Sequence, residues 1–253
     1  MQVQLSAVII TFNEEKNIER CVLSAQKVAD EVLVVDSFST DKTKFICEKL
    51  GVRFIEHAFE GHIQQKNWAK QQAQFDYILS LDADEALDET LIKSILQAKR
   101  DWSTSAHKMN RMTNYCGQWV RHTSWYPDTK IRLFDRRVGK WDGLNPHDEY
   151  RVPKAVNVVH LTGDILHYSL YTRGEHLQQI ERFSTIGAQA LLEKGKESNW
   201  ILILVKPFAR FFKNYIVQFG FLSGKAGWDI STLSAYANYK KYKKLIQLQK
   251  RGK

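Results

Sequence analysis

Four short apolar runs alternate with helix-like stretches over the first hundred residues, and they restrict the fold more than any other feature. Residues 5–12, Leu-Ser-Ala-Val-Ile-Ile-Thr-Phe, are rich in β-branched and apolar side chains and read as a central strand. Asn13 then predicts a helix cap, followed by Ile18, Cys21, Val22 and Ala25 at helical spacing. Residues 31–36 read as a second strand ending on Asp36, and residues 42–50 as a helix stopped by Gly51. Residues 52–55 predict a third strand, 61–75 another helix and 77–81 a fourth strand. Asp88 caps a further helix with Leu91, Ile92, Ile95 and Leu96 on one face. The order βαβαβαβ predicts an α/β fold whose mostly parallel sheet is covered by helices on both faces.

Three of these strands end on polar tips: Thr11-Phe12-Asn13-Glu14, Asp36-Ser37 and Asp82-Ala83-Asp84. Parallel strands bring such tips to one edge, where open α/β sheets bind ligands. Asp-x-Asp there can hold a hard divalent cation that also takes phosphate oxygens. On the tripeptide alone, a polar turn with a helix cap is the stronger reading. A nucleoside diphosphate would occupy all three tips. Asp36 could accept from a uracil imide, Asp82 from ribose hydroxyls, and Asp84 could take the metal. The plain alternatives are an Asx turn at Asp36 and a favourable helix dipole at Glu14.

Beyond residue 105 the pattern changes. Trp, Tyr, Arg and His are dense from 115 to 150. Residues 130–134 alternate like a strand, which sets Arg132 opposite Ile131 and Leu133, either for phosphate contact or on a solvated face. Residues 155–161 and 164–168 read as two strands, and 174–194 as a helix with Leu177, Ile180 and Leu191 on one face. His167 at a strand end is either a metal or diphosphate ligand or structural. Lys66 either contacts a diphosphate or faces solvent. Trp119, Trp125 and Trp141 could stack sugars, with core packing the default for each. The expected division is one domain over 1–195, in two halves (1–105 and 106–195), then 196–253 as a helical extension.

The chain carries 37 Lys and Arg against 28 Asp and Glu, a net charge of +9, so an anionic partner is expected. Residues 200–253 interleave aromatic and basic side chains, ending in Lys240-Lys241-Tyr242-Lys243-Lys244, Lys250-Arg251 and Lys253. That suits an anionic membrane surface, or a helical pair packed on the domain with a solvated tail. Cys21, Cys47 and Cys116 have neither paired nor metal-site spacing, which fits a reducing compartment, and Cys21 and Cys47 fall on apolar helix faces. No secretory leader opens the chain and no run is long enough to span a bilayer, so a cytoplasmic, peripheral location is expected.

The N-terminal hundred residues resemble the inverting family 2 glycosyltransferases with a GT-A fold. The matching runs are Thr11-Phe12-Asn13-Glu14-Glu15, residues 35–41 (Val-Asp-Ser-Phe-Ser-Thr-Asp), Gln65-Lys66-Asn67-Trp68-Ala69 and Asp82-Ala83-Asp84-Glu85. Tyr126-Pro127-Asp128, Arg132-Leu133-Phe134, His147-Asp148 and His167-Tyr168-Ser169 extend the resemblance to the bacterial lipopolysaccharide core glucosyltransferases. This implies a UDP-sugar donor, Mg2+ or Mn2+, and transfer of a hexose with inversion to a hydroxyl of a membrane-borne glycan, on the inner face of a bacterial inner membrane. It implies donor contacts at Thr11, Asn13, Glu14, Asp36, Lys66, Asp82 and Arg132, and metal contacts at Asp84 and His167. Where the subgroup has His-Glu, this chain has His147-Asp148-Glu149, so either Asp148 or Glu149 is the base.

Two other classes compete. The +9 charge and basic-aromatic interleaving are shared with nucleic-acid-binding proteins, but phosphates would meet acidic strand tips, so no nucleic-acid partner is expected. A nucleotidyltransferase would be expected to carry a Gly-rich phosphate loop, and none follows the first strand.

Overall fold

The structure, a computed structural model, describes residues 2–144 and 147–251, without the side chains of Leu144, His147 and Arg251. The His147 side chain beside Asp148 and the terminal Arg251 and Lys253 charges therefore lie outside the described residues. Chain order runs β1 (Leu5–Thr11), α1 (Ile18–Gln26), β2 (Glu31–Asp36), α2 (Thr43–Lys49), β3 (Arg53–Glu56), α3 (His62–Gln72), β4 (Tyr77–Asp82), β5 (Glu85–Leu87) and α4 (Glu89–Arg100). It continues β6 (Ala106–Tyr115), β7 (Gln118–Trp119), β8 (Asp128–Asp135), β9 (Lys140–Leu144), β10 (His147–Arg151), β11 (Val158–Leu170), α5 (Arg173–Glu193), α6 (Trp200–Phe212) and α7 (Gly224–Arg251). A π turn (Lys213–Val217) and a 3-10 turn (Gly220–Ser223) join the last two helices.

The main sheet has the order β3-β2-β1-β4-β8-β6-β11-β5, with β7 on β6. The α/β expectation is met, and the parallel part is β3-β2-β1-β4. Next to it, β4/β8 and β8/β6 are antiparallel, as is β11/β5. From β1 the chain moves out to β2 and β3, then returns to β4 on the other side of β1. The order reverses between β1 and β4, which is where such sheets open a ligand crevice.

Side chains alternate across the sheet and bury two cores. Leu5, Ala7, Ile9, Val34, Leu79 and Leu81 pack with Ile18, Cys21, Val22 of α1, Cys47 of α2 and Leu91, Ile95 of α4. Val8, Leu33, Val35, Ile78 and Phe134 face the other way, onto Ala69 and Ala73 of or beside α3 and onto Trp141 and Tyr150 of the β9–β10 hairpin. Cys21 and Cys47 are buried core, as expected.

The chain falls into two compact units, 1–111 with 128–168, and 112–127 with 169–253. The boundary expected at 195/196 falls inside the second unit, between α5 and α6. There Tyr115, Val120, Leu170, Ala226 and Ile230 form a separate core.

Several local expectations need correction. Asn13 caps no helix: α1 starts at Ile18. Asn13 has a left-handed φ of 54°, a conformation Asn tolerates, and its side-chain oxygen accepts from Thr40 N at 2.8 Å. Glu14 accordingly lies in the turn before α1, not in its first turn. The two strands expected over 155–161 and 164–168 are one strand, β11 (Val158–Leu170). Its Gly163 (φ 105°) sits where a Cβ would lie 2.3 Å from Leu91 N, so that glycine is a close-approach point rather than a turn. On α5 the buried stripe is His176, Ile180, Ser184 and Ala188, while Leu177 is exposed. Residues 140–144 and 147–151 pair as antiparallel strands, β9 and β10.

Candidate active site

The first unit contains a cavity of about 640 Å3 at the C-terminal ends of β1 and β4. Its floor is the turn Ala83-Asp84 between β4 and β5, and its walls come from α3, β8 and the β9–β10 hairpin. The volume is ordinary for a small-molecule site.

Lys66 organises the wall. Helix α3 turns it inward, so its side chain is 3% exposed and the solvent-facing alternative is excluded. Its Nζ lies 2.8 Å from Asp82 Oδ1 and 2.8 Å from Asp148 Oδ2. One ammonium thus joins a carboxylate at the tip of β4 to one on the hairpin. The same Nζ lies 4.6 Å from the centre of the Trp141 ring.

Arg132 is buried as well, so the solvated-face alternative fails here too. Its Nη2 donates to Asp82 Oδ2 at 2.8 Å and to Glu85 Oε1 at 3.0 Å. Its Nε and Nη1 have no hydrogen-bond partner among the described residues, and neither has the buried Thr11 hydroxyl. Both residues line the cavity. Spare buried donors of this kind are the groups an oxyanion would satisfy. Burial alone would raise the Asp82 carboxyl, but Arg132 and Lys66 reverse this and hold it well below the usual carboxylate range.

Asp84 and His167 meet at 3.1 Å between Oδ2 and Nε2. The pairing of β11 with β5 sets His167 opposite Glu85 and so beside Asp84. Burial pushes the Asp84 carboxyl up, and the His167 imidazole more than offsets it, so the carboxyl lies below its ordinary value. No group of three or more His, Cys, Asp or Glu that could hold a metal occurs among the described residues. The pair nonetheless fits a hard divalent cation of the kind that takes one or two protein groups and completes its shell with substrate phosphates and water. Glu14 also lines the cavity. Burial raises its carboxyl; the Asn17 amide opposes that and the charges of Asp84 and Asp41 reinforce it.

The hairpin separates the two candidate bases. Asp148 and Glu149 are consecutive on β10, so their side chains leave opposite faces. Asp148 turns to Lys66. Glu149 is mostly exposed, lies 3.9 Å from Arg151, and reaches the cavity rim.

Asp36 and Asn13 are at the strand tips but do not line the cavity; Ser37 does. The Asp36 carboxylate accepts from Ser39 N at 2.7 Å and from the Ser39 hydroxyl, which is the Asx-type bonding considered as its plain reading. Trp141 packs against Phe134 and Tyr150, and in the second unit Trp125 packs against Tyr115 and His176.

Two site residues were not singled out from sequence. Glu85 is 1% exposed, takes Arg132 and Arg111, and accepts from Asp82 N at 3.0 Å. Its signal was present in the run Asp82-Ala83-Asp84-Glu85. Arg111 bridges Glu85 and Asp128 from β6, a strand whose polar residues hide its period.

The glycosyl transferase family 2 model matches residues 6–161. The chain belongs to this family. An uncharacterized glycosyltransferase of Rickettsia bellii is 30% identical over 97% of this chain and 87% of its own length. The lipopolysaccharide core biosynthesis glycosyltransferase LpsC of Rhizobium meliloti is 27% identical over 92% of this chain and 88% of its own. Staphylococcus aureus TarS 1–349, solved in complex with UDP, is a distant structural likeness: 15% identity over 99% of this chain and 92% of its own, with a TM-score of 0.48. This family 2 glycosyltransferase therefore carries its strand-tip carboxylates, Lys66, Arg132 and the hairpin acids inside the matched region, and His167 just beyond it.

Proposed function

We propose that this glycosyltransferase moves a hexose such as glucose from a UDP-sugar to a hydroxyl of a membrane-borne glycan, of the lipopolysaccharide-core kind, by single displacement with inversion. The observation that carries this reading is the convergence on one cavity of Asp82 and Asp84, the spare donors of Arg132 and Thr11, and a carboxylate on a separate hairpin. The lipopolysaccharide link draws on the name of the Rhizobium relative.

In this reading the Arg132 Nε and Nη1 groups donate to a diphosphate oxygen, and Asp84 and His167 would hold Mg2+ or Mn2+. When bound, the cation would neutralise charge on the departing UDP. Asp82 orients the ribose while Lys66 and Arg132 keep its carboxylate in place, Thr11 and Glu14 line the nucleoside end, and Asn13 and Asp36 hold the loop behind it through Thr40 and Ser39. Asp148 is the general base. Its Oδ2 is occupied by Lys66, which leaves Oδ1 to take the acceptor proton as the hydroxyl attacks the anomeric carbon. Glu149, on the outer face of the same strand, meets the acceptor at the rim.

Hydrolysis of a panel of UDP-sugars with Mg2+ or Mn2+, in the absence of acceptor, tests the donor class. Slow release of UDP from one donor is expected. No release from any donor, together with no UDP binding by calorimetry, overturns the proposal. Retention on DNA at physiological salt without UDP binding would favour the nucleic-acid alternative.

A further inference from the structure

Helix α6 is turned inside out. It has no buried residue, and its apolar side chains face outward: Trp200 is 71% exposed, Leu204 63% and Phe208 70%, with Ile201, Val205 and Phe212 on the same side. At 100° per residue these six fall within one arc of the helix. Leu202 and Ile203 lie outside that arc and are half-buried, and α6 packs on α7, where Phe211 at one edge of the helix meets Trp228 edge-on. The outward surface continues through the two turns after α6, where Val217, Phe219 and Leu222 are also exposed. A water-facing apolar surface of this extent marks an interaction site.

Charge identifies the partner. Between Glu197 and Asp229 the chain has no acidic residue and four basic ones, Lys206, Arg210, Lys213 and Lys225. None of the four has an ion pair among the described residues. By contrast, Lys240 and Lys244 of α7 share one carboxylate, Glu181 of α5, at 2.9 and 2.6 Å. The cations without an ion pair among the described residues thus gather on α6 and the turns and continue onto Lys241 and Lys243 of α7. Burial and the nearby Arg210 and Lys206 charges also lower Lys241, which is a sign of cations gathered without a counter-ion. A second copy of this chain related by a two-fold axis would bring like charges together across the contact. An anionic bilayer answers both features: the apolar arc enters the headgroup region, while the cations on the polar side of α6 and in the turns are drawn by the negative surface potential.

We infer that the outward face of α6, from Trp200 to Phe212, with the turns that follow it, is a membrane-docking surface for anionic phospholipid. It deepens the membrane-borne acceptor of the proposed function, but its test is read apart from UDP binding.

The test is flotation of the full chain with phosphatidylglycerol/phosphatidylethanolamine vesicles, and with phosphatidylcholine vesicles as comparison. The wild type should float with the first and much less with the second. About 0.5 M salt, which shortens screening to roughly 4 Å, should reduce flotation without abolishing it. The pair Leu204→Glu and Phe208→Glu should lower vesicle affinity about tenfold or more, with an unchanged circular dichroism spectrum and unchanged UDP binding. If that pair misfolds, brominated lipid supplies a gentler readout: it should quench wild-type tryptophan fluorescence, and Trp200→Phe should remove part of that quenching. Failure of the wild type to float with anionic vesicles overturns the inference. So does flotation unaffected by the double substitution, or quenching unaffected by Trp200→Phe. A dimer by light scattering that the double substitution dissociates would assign the face to a second copy instead. Loss of UDP binding in a wild type that still floats would sink the donor reading and leave this one standing.

Discussion

Lys66 is the residue on which the two halves of the cavity depend. Its ammonium compensates Asp82 and Asp148 together, and removing one member of a buried ionic group leaves the others uncompensated. Lys66→Met should lower stability by about 3 kcal/mol in urea denaturation, and adding Asp148→Asn should recover part of the loss. Full additivity of the two changes would show that the pair is not coupled. Asp148→Asn alone should keep UDP-sugar affinity and lower turnover by about 10²–10⁴-fold, with Glu149→Gln only mildly affected. A dead Glu149→Gln beside an active Asp148→Asn would reverse the assignment. At Asp84, alanine should leave the fold intact and abolish the gain in UDP affinity from Mg2+ or Mn2+ in calorimetry. At this scale the acids were legible because they stand at the ends of apolar runs. Glu85 and the inward turn of Lys66 were not, since their partners Arg111, Arg132 and Asp148 are tens of residues away in sequence.

Among elements, β1, β2, β4 and α4 are plain in the sequence, because their apolar residues recur at the period of the structure they form. Strand β6 is not. It runs Ala-His-Lys-Met-Asn-Arg-Met-Thr-Asn-Tyr, and its identity as a strand rests on pairing with β8 rather than on its own composition. Asn13 misled as a capping signal, and the break expected between 161 and 164 was not a break: the structure uses Asn13 and Gly163 each for a contact with a distant segment. That contact makes a prediction. Gly163→Ala would combine a positive φ with a Cβ 2.3 Å from the Leu91 backbone at the start of α4. It should destabilise the protein by more than about 1 kcal/mol, read as a lower denaturation midpoint. Gly195, also at positive φ but with open space around it, should tolerate alanine better.

Taken as a whole, the molecule has a built-in dependence on pH. His107 in the first unit and His176 in the second are both buried, and burial lowers each from an ordinary 6.5 to about 4. His176 also feels Asp229 and Arg173, and its Nδ1 meets the Tyr115 hydroxyl. A folded-state value below the unfolded one means that the unfolded chain binds the proton first. Stability is therefore full above pH 6.5 and falls as pH drops toward 4. At pH 5 each histidine should account for about 2 kcal/mol of loss, so urea melts at pH 7.5 and pH 5 should differ visibly. His107→Gln and His176→Gln should each shrink that difference. The depressed Asp82 and Asp84 act lower, since their contribution is lost only below the ordinary carboxylate range.

The interleaved path of the chain also imposes a timetable. Unit 1 is complete once residue 168 has been made, whereas unit 2 begins with 112–127 and waits for 169–253. At ribosomal speeds that wait is roughly 4–17 s. During this time the cavity can close while Tyr115 and Val120 have no partners from α7, and the outward face of α6 does not yet exist. A nascent chain thus gains the cavity at the ends of β1 and β4 first and the outward face of α6 last. Cutting the gene at residue 196 would not free an independent domain; it would leave α5 and residues 112–127 without the helices that complete their core.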